Sequence, residues 1–161
     1  MNAETETTES KQFVQDAPVV TAVTKISAPV EEVWRVLVTF DEYEHWHPVL
    51  SLDAKPEQVV VGAKIPGRVA GIDTAEQDVV MTIVAVEAPA RLVWEGGSLD
   101  TLLGRHSFIL TAQPDGTTEL TESEAFSGPA APDLTPELAR LTQDYSRYGA
   151  ALKIRAESQP D

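Results

Sequence analysis

Between Val19 and Pro48 the apolar positions change their period along the chain. Val19 to Ile26 is β-branched and partly alternating, the pattern of a strand. Val30, Val33, Trp34 and Leu37 then fall at i, i+3, i+4 and i+7, which is one face of a helix. Pro29 suits the first turn of that helix, and Glu31 and Glu32 favour its positive end. Phe40, Tyr43 and Trp46 follow at three-residue spacing until Pro48 stops any helix, so a second short helix with a bulky inner face is predicted.

Beyond Pro48 the pattern is strand-like almost to the end. The expected strands are Leu52 to Gln58, Lys64 to Ala70, Glu76 to Glu87, Arg91 to Gly96, Leu102 to Ala112 and Thr117 to Phe126. Turn residues separate them: Gly62, Gly71 with Asp73, Pro89, Gly96 with Gly97, and Pro114-Asp115-Gly116. Such short connections join antiparallel neighbours, because parallel strands need crossovers. Gly128, Pro129 and Pro132 break the sheet, and Thr135 followed by Pro136 reads as an N-cap with proline at the first helical position. Leu138, Leu141, Tyr145, Tyr148 and Leu152 then repeat at helical spacing, an apolar stripe of about 21 Å.

Composition narrows the classes of function. A chain of 161 residues, 42% hydrophobic, fits one globular domain with a sizeable core. Twelve Lys and Arg against 26 Asp and Glu give a formal charge of -14, which phosphate backbones and anionic membrane surfaces would repel. Part of that charge lies in the first 16 residues, rich in Glu, Thr and Gln, which read as a flexible acidic tail without a secretory pattern. No apolar run approaches the ~20 residues that span a bilayer, so neither membrane insertion nor nucleic-acid binding is expected and the expected location is cytoplasmic. Cysteine is absent, excluding disulfides and thiolate chemistry. No G-x-S-x-G, P-loop, G-x-G-x-x-G or H-E-x-x-H motif occurs, so activated-serine hydrolysis, phosphoryl transfer and dinucleotide redox lack their parts.

Several short motifs occur in a set order: I-x-A-P-x-x-x-V-W at Ile26 to Trp34, Y-x-x-W-x-P at Tyr43 to Pro48, G-x-H-x-F-x-L at Gly104 to Leu110, D-G-T-T at Asp115 to Thr118, E-x-F-x-G at Glu124 to Gly128 and A-L-K-x-x-A-E at Ala151 to Glu157. In this order the chain resembles the START-like, Bet v 1-like (SRPBCC) superfamily, in its polyketide cyclase/dehydratase branch. The resemblance implies an α+β helix-grip fold, a curved seven-stranded antiparallel sheet wrapped around a long C-terminal helix, with two short helices after the first strand. It also implies a cavity for a hydrophobic or amphipathic small molecule. The expected organisation is a tail over residues 1–17, one ligand-binding domain over 18–158 and a C-terminal tail over 159–161, as a monomer or homodimer. Function must come from the site, because enzymes, carriers and receptors share this fold.

Strand alternation selects the candidates. His106, Phe108 and Leu110 share one face, as do Leu120, Glu122, Glu124 and Phe126. The large apolar partners turn His106, Glu122 and Glu124 inward, where a buried carboxylate must be paired or protonated, which suits a general acid or base near neutral pH. The plainer alternative is a glutamate that reaches solvent, caps the loop at Gly128 or neutralises Arg105 or Arg68. Catalytic roles are assigned to His106, Glu124 and, below them, Glu122. Ligand contacts are expected from Trp34, Phe40, Tyr43, Trp46, His47, Arg68, Trp94, Phe108, Phe126, Leu141, Tyr145 and Tyr148. His45 and His47 form an H-x-H pair, but in a helical turn their rings diverge by roughly 200°. One is therefore placed at the cavity mouth and the other in solvent, with no metal and no cofactor. The function expected is binding of a polyketide-like or aromatic molecule with acid/base cyclisation or dehydration; the alternative is a non-catalytic carrier or sequestering protein.

Overall fold

A computed structural model describes residues 18–70 and 75–158 of the chain. The expected acidic tail, the turn at Gly71 and Asp73 and the last three residues lie outside the described residues. β1 (Val19–Ile26) leads into α1 (Val30–Val38) and a 3-10 helix (Phe40–His45). Six strands follow: β2 (Leu50–Leu52), β3 (Lys64–Val69), β4 (Gln77–Glu87), β5 (Arg91–Gly97), β6 (Leu103–Ala112) and β7 (Thr118–Ser127). A 3-10 segment (Ala131–Glu137) then runs into the long helix α2 (Leu138–Glu157).

All seven strands form one antiparallel sheet in the order β1-β7-β6-β5-β4-β3-β2. Strands β2 to β7 are neighbours in chain order, and β1 adds to the outer side of β7 with Val20 opposite Glu124 and Ala22 opposite Glu122. The pairing of β4 with β5 shifts between Ile83 and Ala85, an irregularity of the kind that bends a strand. The sheet curls around α2, the helix-grip arrangement.

Two apolar clusters hold the layers together. The larger joins Val33, Val36 and Leu37 of α1 and Phe40 and Tyr43 of the 3-10 helix to Ile83, Leu92, Trp94, Phe108 and Leu120 of the sheet and Leu152 and Ala156 of α2. The smaller gathers Val20, Ala22, Phe126, Ala131 and Tyr145. Helix α2 approaches β1 so closely at Gly149 that a Cβ there would lie 2.3 Å from Thr24 Oγ1. Its last turn is tied down by Ser27 N donating to Glu157 (2.7 Å) and by Arg155 donating to Glu42 (2.9 Å). No described helix is long and apolar enough to cross a membrane.

Three expected elements are corrected. The strand predicted over Leu52 to Gln58 is instead the short β2 ending at Leu52 and a 3-10 turn over Pro56–Gln58, because Pro56 has no N–H for a ladder and fits the start of a turn. Thr135 does not cap the long helix: Pro136 lies inside the 3-10 segment, and α-helical hydrogen bonding starts at Leu138. The stripe on α2 is also uneven. Tyr145, Gly149, Leu152 and Ala156 are buried, whereas Leu138, Leu141 and Tyr148 are only half-buried, beside the opening described next.

Candidate functional site

Strands β6 and β7 bring together the groups singled out by alternation. His106 pairs across the ladder with Glu124, and Phe108 with Glu122. His106 nevertheless donates diagonally, Nε2–H to Glu122 Oε2 at 2.7 Å, while its Nδ1 stands 3.9 Å from Glu124 Oε1. The longer separation exceeds hydrogen-bond reach. Glu122 is 3% exposed and the His106 side chain 11%, whereas the Glu124 side chain keeps 18% of its surface open. Glu124 lies back across β6 over Gly104, where a Cβ would stand 2.1 Å from its Oε2. The His106 ring is stacked on Phe108 (4.4 Å between centroids, 11°) and on Tyr145 (5.3 Å, 15°), with Trp94 tilted at 5.1 Å.

This packing sets the charges. Burial pushes the His106 imidazole down, but the hydrogen bond and charge of Glu122, aided by the charge of Glu124, outweigh it and hold the ring above its ordinary range. Burial raises the Glu124 carboxyl; the His106 charge opposes the rise and the Glu122 charge adds to it, leaving the group above the ordinary carboxylate range. Glu122, His106 and Glu124 thus form a buried row, with an imidazole held above its ordinary range in the middle and a carboxyl held above its ordinary range at the open end.

That open end faces a cavity of about 280 Å³ between the sheet and α2. His106, Glu124 and Phe126 form one wall with Trp94 and Gly96; Leu141, Tyr145 and Tyr148 of α2 form the opposite wall, and His47, Val49 and Leu50 close one side. His47 is fixed by its own loop, its Nδ1 accepting from Val49 N (3.2 Å) and Leu50 N (3.0 Å). Burial, followed by the charges of His106 and Arg147, pushes this imidazole down to about 3. Burial and then Asp144 push the Tyr148 hydroxyl up to about 12.

Of the ligand contacts expected from sequence, His47, Trp94, Phe126, Leu141, Tyr145 and Tyr148 line this cavity. The others are placed elsewhere. Phe40 and Tyr43 are core, packed edge to face at 5.4 Å, with the Tyr43 hydroxyl donating to the Leu37 carbonyl. Trp34 packs half-buried on the main cluster, and Trp46 leans on Tyr43 and His47 behind the cavity wall. Phe108 supports His106 from beneath without reaching the opening. Arg68 points outward on β3, 60% exposed and 3.7 Å from Asp78, beside a separate surface groove with Asp41 and Asp53. Neither Arg68 nor Arg105 neutralises the inward glutamates, since Arg105 pairs with Glu95 at 2.8 Å. Val49, Leu50, Val69, Met81 and Gly96 line the cavity without having been singled out; the signal for Val69 and Met81 was strand alternation, but nothing local marked Gly96. His45 is solvent-exposed beside Glu44, and among the described residues no group of three potential ligands gathers around a metal position.

Comparison with known proteins fits this architecture. Residues 17–157 match the family described as polyketide cyclase / dehydrase and lipid transport, and the chain belongs to that family. Among solved structures it is similar to DynU16, a protein of the dynemicin biosynthetic locus (23% identity, TM-score 0.66), covering 87% of this chain and 47% of that one. It is also similar to the di-domain ARO/CYC BexL from the BE-7585A biosynthetic pathway (16%, TM-score 0.69; 99% of this chain and 58% of that). A third, protein jhp0584 from Helicobacter pylori, aligns at 15% identity with a TM-score of 0.72 over 91% of this chain and 93% of that one. At these identities the likeness is one of fold, and the chain spans about half the length of DynU16. No curated protein matches the sequence.

Proposed function

We propose that this protein binds a hydrophobic, polyketide-like or aromatic molecule in the cavity and catalyses its cyclisation or dehydration by acid/base chemistry without a cofactor. The observation that carries the reading is the Glu124 carboxyl, open to the cavity and raised by burial, backed by a His106 that Glu122 holds in place. A raised carboxyl is a stronger base when ionised, so Glu124 takes a proton from a carbon flanked by carbonyls. The resulting enolate closes on a second carbonyl, whose new alkoxide takes that proton back from Glu124; for dehydration Glu124 removes the second proton of the same carbon and passes it to the new hydroxyl, which leaves as water. His106 and Glu122 position that carboxyl and adjust its affinity for the proton. The cavity contributes by holding a flexible chain folded, which removes entropy from the barrier. Its volume of about 280 Å³ lies just below the ~300–1,000 Å³ range of ligand pockets, which favours a molecule of one or two rings.

The second reading, a carrier, is favoured by one observation: among the described residues no buried polar side-chain atom lacks a partner, as expected of a pair that only stabilises a pocket. Glu124→Gln and His106→Ala separate the two. For an enzyme, Glu124→Gln lowers turnover by about 100-fold or more while ligand affinity holds. A protein whose only measurable loss is affinity, with no turnover in the wild type, is a carrier.

A further inference from the structure

His47 has a use that its position at the cavity side does not by itself require. Two backbone donors, Val49 N at 3.2 Å and Leu50 N at 3.0 Å, both point at its Nδ1. A nitrogen that accepts cannot carry a hydrogen, so the neutral ring holds its single proton on Nε2. Nothing among the described residues accepts from that Nε2, and no buried side-chain nitrogen is left unpartnered. The Nε2–H therefore opens onto the cavity that His47 lines. The ring cannot turn away: Tyr43 stacks on it at 5.9 Å and 6°, and Tyr148 packs against it at 4.7 Å.

We propose that His47 is a fixed hydrogen-bond donor of the ligand site, its Nε2–H directed at a carbonyl or enolate oxygen of the bound molecule. This rests on reading the cavity as a ligand site, and it adds a requirement to that reading: the ligand carries an oxygen acceptor that reaches His47. The two groups then have different tasks. Glu124 moves a proton, while His47 holds an oxygen and offers its hydrogen where negative charge gathers as an enolate forms, a role that suits a neutral donor with a set direction. His106 is worse suited to this part, because its Nε2–H is committed to Glu122 and its Nδ1 faces Glu124 at 3.9 Å. Tyr145 and Tyr148 line the same cavity, but of the three only His47 has its donor direction imposed by backbone hydrogen bonds.

The test uses the full chain and two bicyclic probes of similar size, 1-tetralone with a carbonyl and tetralin without one. Two-bond ¹H–¹⁵N spectra at neutral pH should show His47 as the Nε2–H tautomer, and 1-tetralone, not tetralin, should shift that proton downfield. His47→Asn keeps an oxygen for the Val49 and Leu50 amides but removes the distal donor; it should weaken 1-tetralone roughly three- to tenfold, the loss of one neutral hydrogen bond, and leave tetralin unchanged. His47→Gln, which carries an amide N–H further out, should recover part of the loss. An Nδ1–H tautomer, or equal effects of His47→Asn on both probes, overturns the donor while the cavity stands. Failure of the wild-type protein to bind either probe overturns the cavity as a ligand site and the donor with it.

Discussion

Glu122 and Glu124 stand two residues apart on one face of β7, yet their surroundings give them different tasks. Glu122 is sealed beneath Phe108 and spends its carboxylate on His106, whereas Glu124 reaches the cavity because Gly104, across the ladder, leaves it room. A methyl group at 104 would stand 2.1 Å from Glu124 Oε2, and the end of a glutamate side chain is the part that moves most cheaply. Gly104→Ala is therefore expected to fold, with stability changed by no more than about 1 kcal/mol, and to swing the carboxyl off the cavity wall. Under the proposed acid/base role of Glu124, turnover should fall toward that of Glu124→Gln, while denaturation curves barely move; full activity in Gly104→Ala would show that the carboxyl does not need this seat. At this scale the sequence was half legible. Alternation turned His106, Glu122 and Glu124 inward, but it has no information on which glutamate a histidine meets, since the diagonal reach depends on sheet twist. For the same reason Phe40 and Tyr43 were read as cavity residues: three-residue spacing marks a buried face without saying whether protein or ligand covers it.

The element that shapes the cavity is α2, and its position depends on how near it comes to β1. Gly149 permits the approach, since a Cβ there would meet Thr24 Oγ1 at 2.3 Å and Thr24 Cβ at 3.3 Å. Two effects compete in Gly149→Ala. Alanine favours the helix by about 1 kcal/mol, and the clash with a strand residue pushes α2 outward. Thr24 sits on a paired strand and has little freedom to retreat, so the clash should win and the melting temperature should drop. Adding Thr24→Ala removes the oxygen and should restore stability in urea or thermal unfolding; a Gly149→Ala protein more stable than wild type would show that α2 has slack. Most strands were legible because β-branched runs alternate between clear turn residues, and their antiparallel order followed from short connections. Two of the three corrected elements involve proline. Pro56 interrupts the stretch expected as a strand, and Pro136 resembled a helix start while lying in the 3-10 segment before it.

Over the whole molecule, a formal charge of -14 and two histidines shifted in opposite directions shape how stability follows pH. The repulsion among surplus carboxylates at neutral pH is screened by salt, so added salt should stabilise the protein there. Screening reaches the histidine contributions far less, because both rings are enclosed. His47 has an ordinary value of 6.5 and is pushed down to about 3 in the fold. Between these values the unfolded chain binds the extra proton, so folding stability declines as pH falls from about 6.5 toward 3. His106 is raised, so its contribution is full below its unfolded value and is lost as pH rises through its folded one. Unfolding measured from pH 4 to 8 in high salt should therefore show an acid limb. In His47→Asn that limb should flatten below pH 6.5 while the loss on the alkaline side persists, and in Glu122→Gln the alkaline loss should shrink because only the charge of Glu124 then opposes burial at His106. An acid limb unchanged by His47→Asn would mean that His47 takes a proton without disturbing the fold, which its two backbone donors forbid while they stay in place.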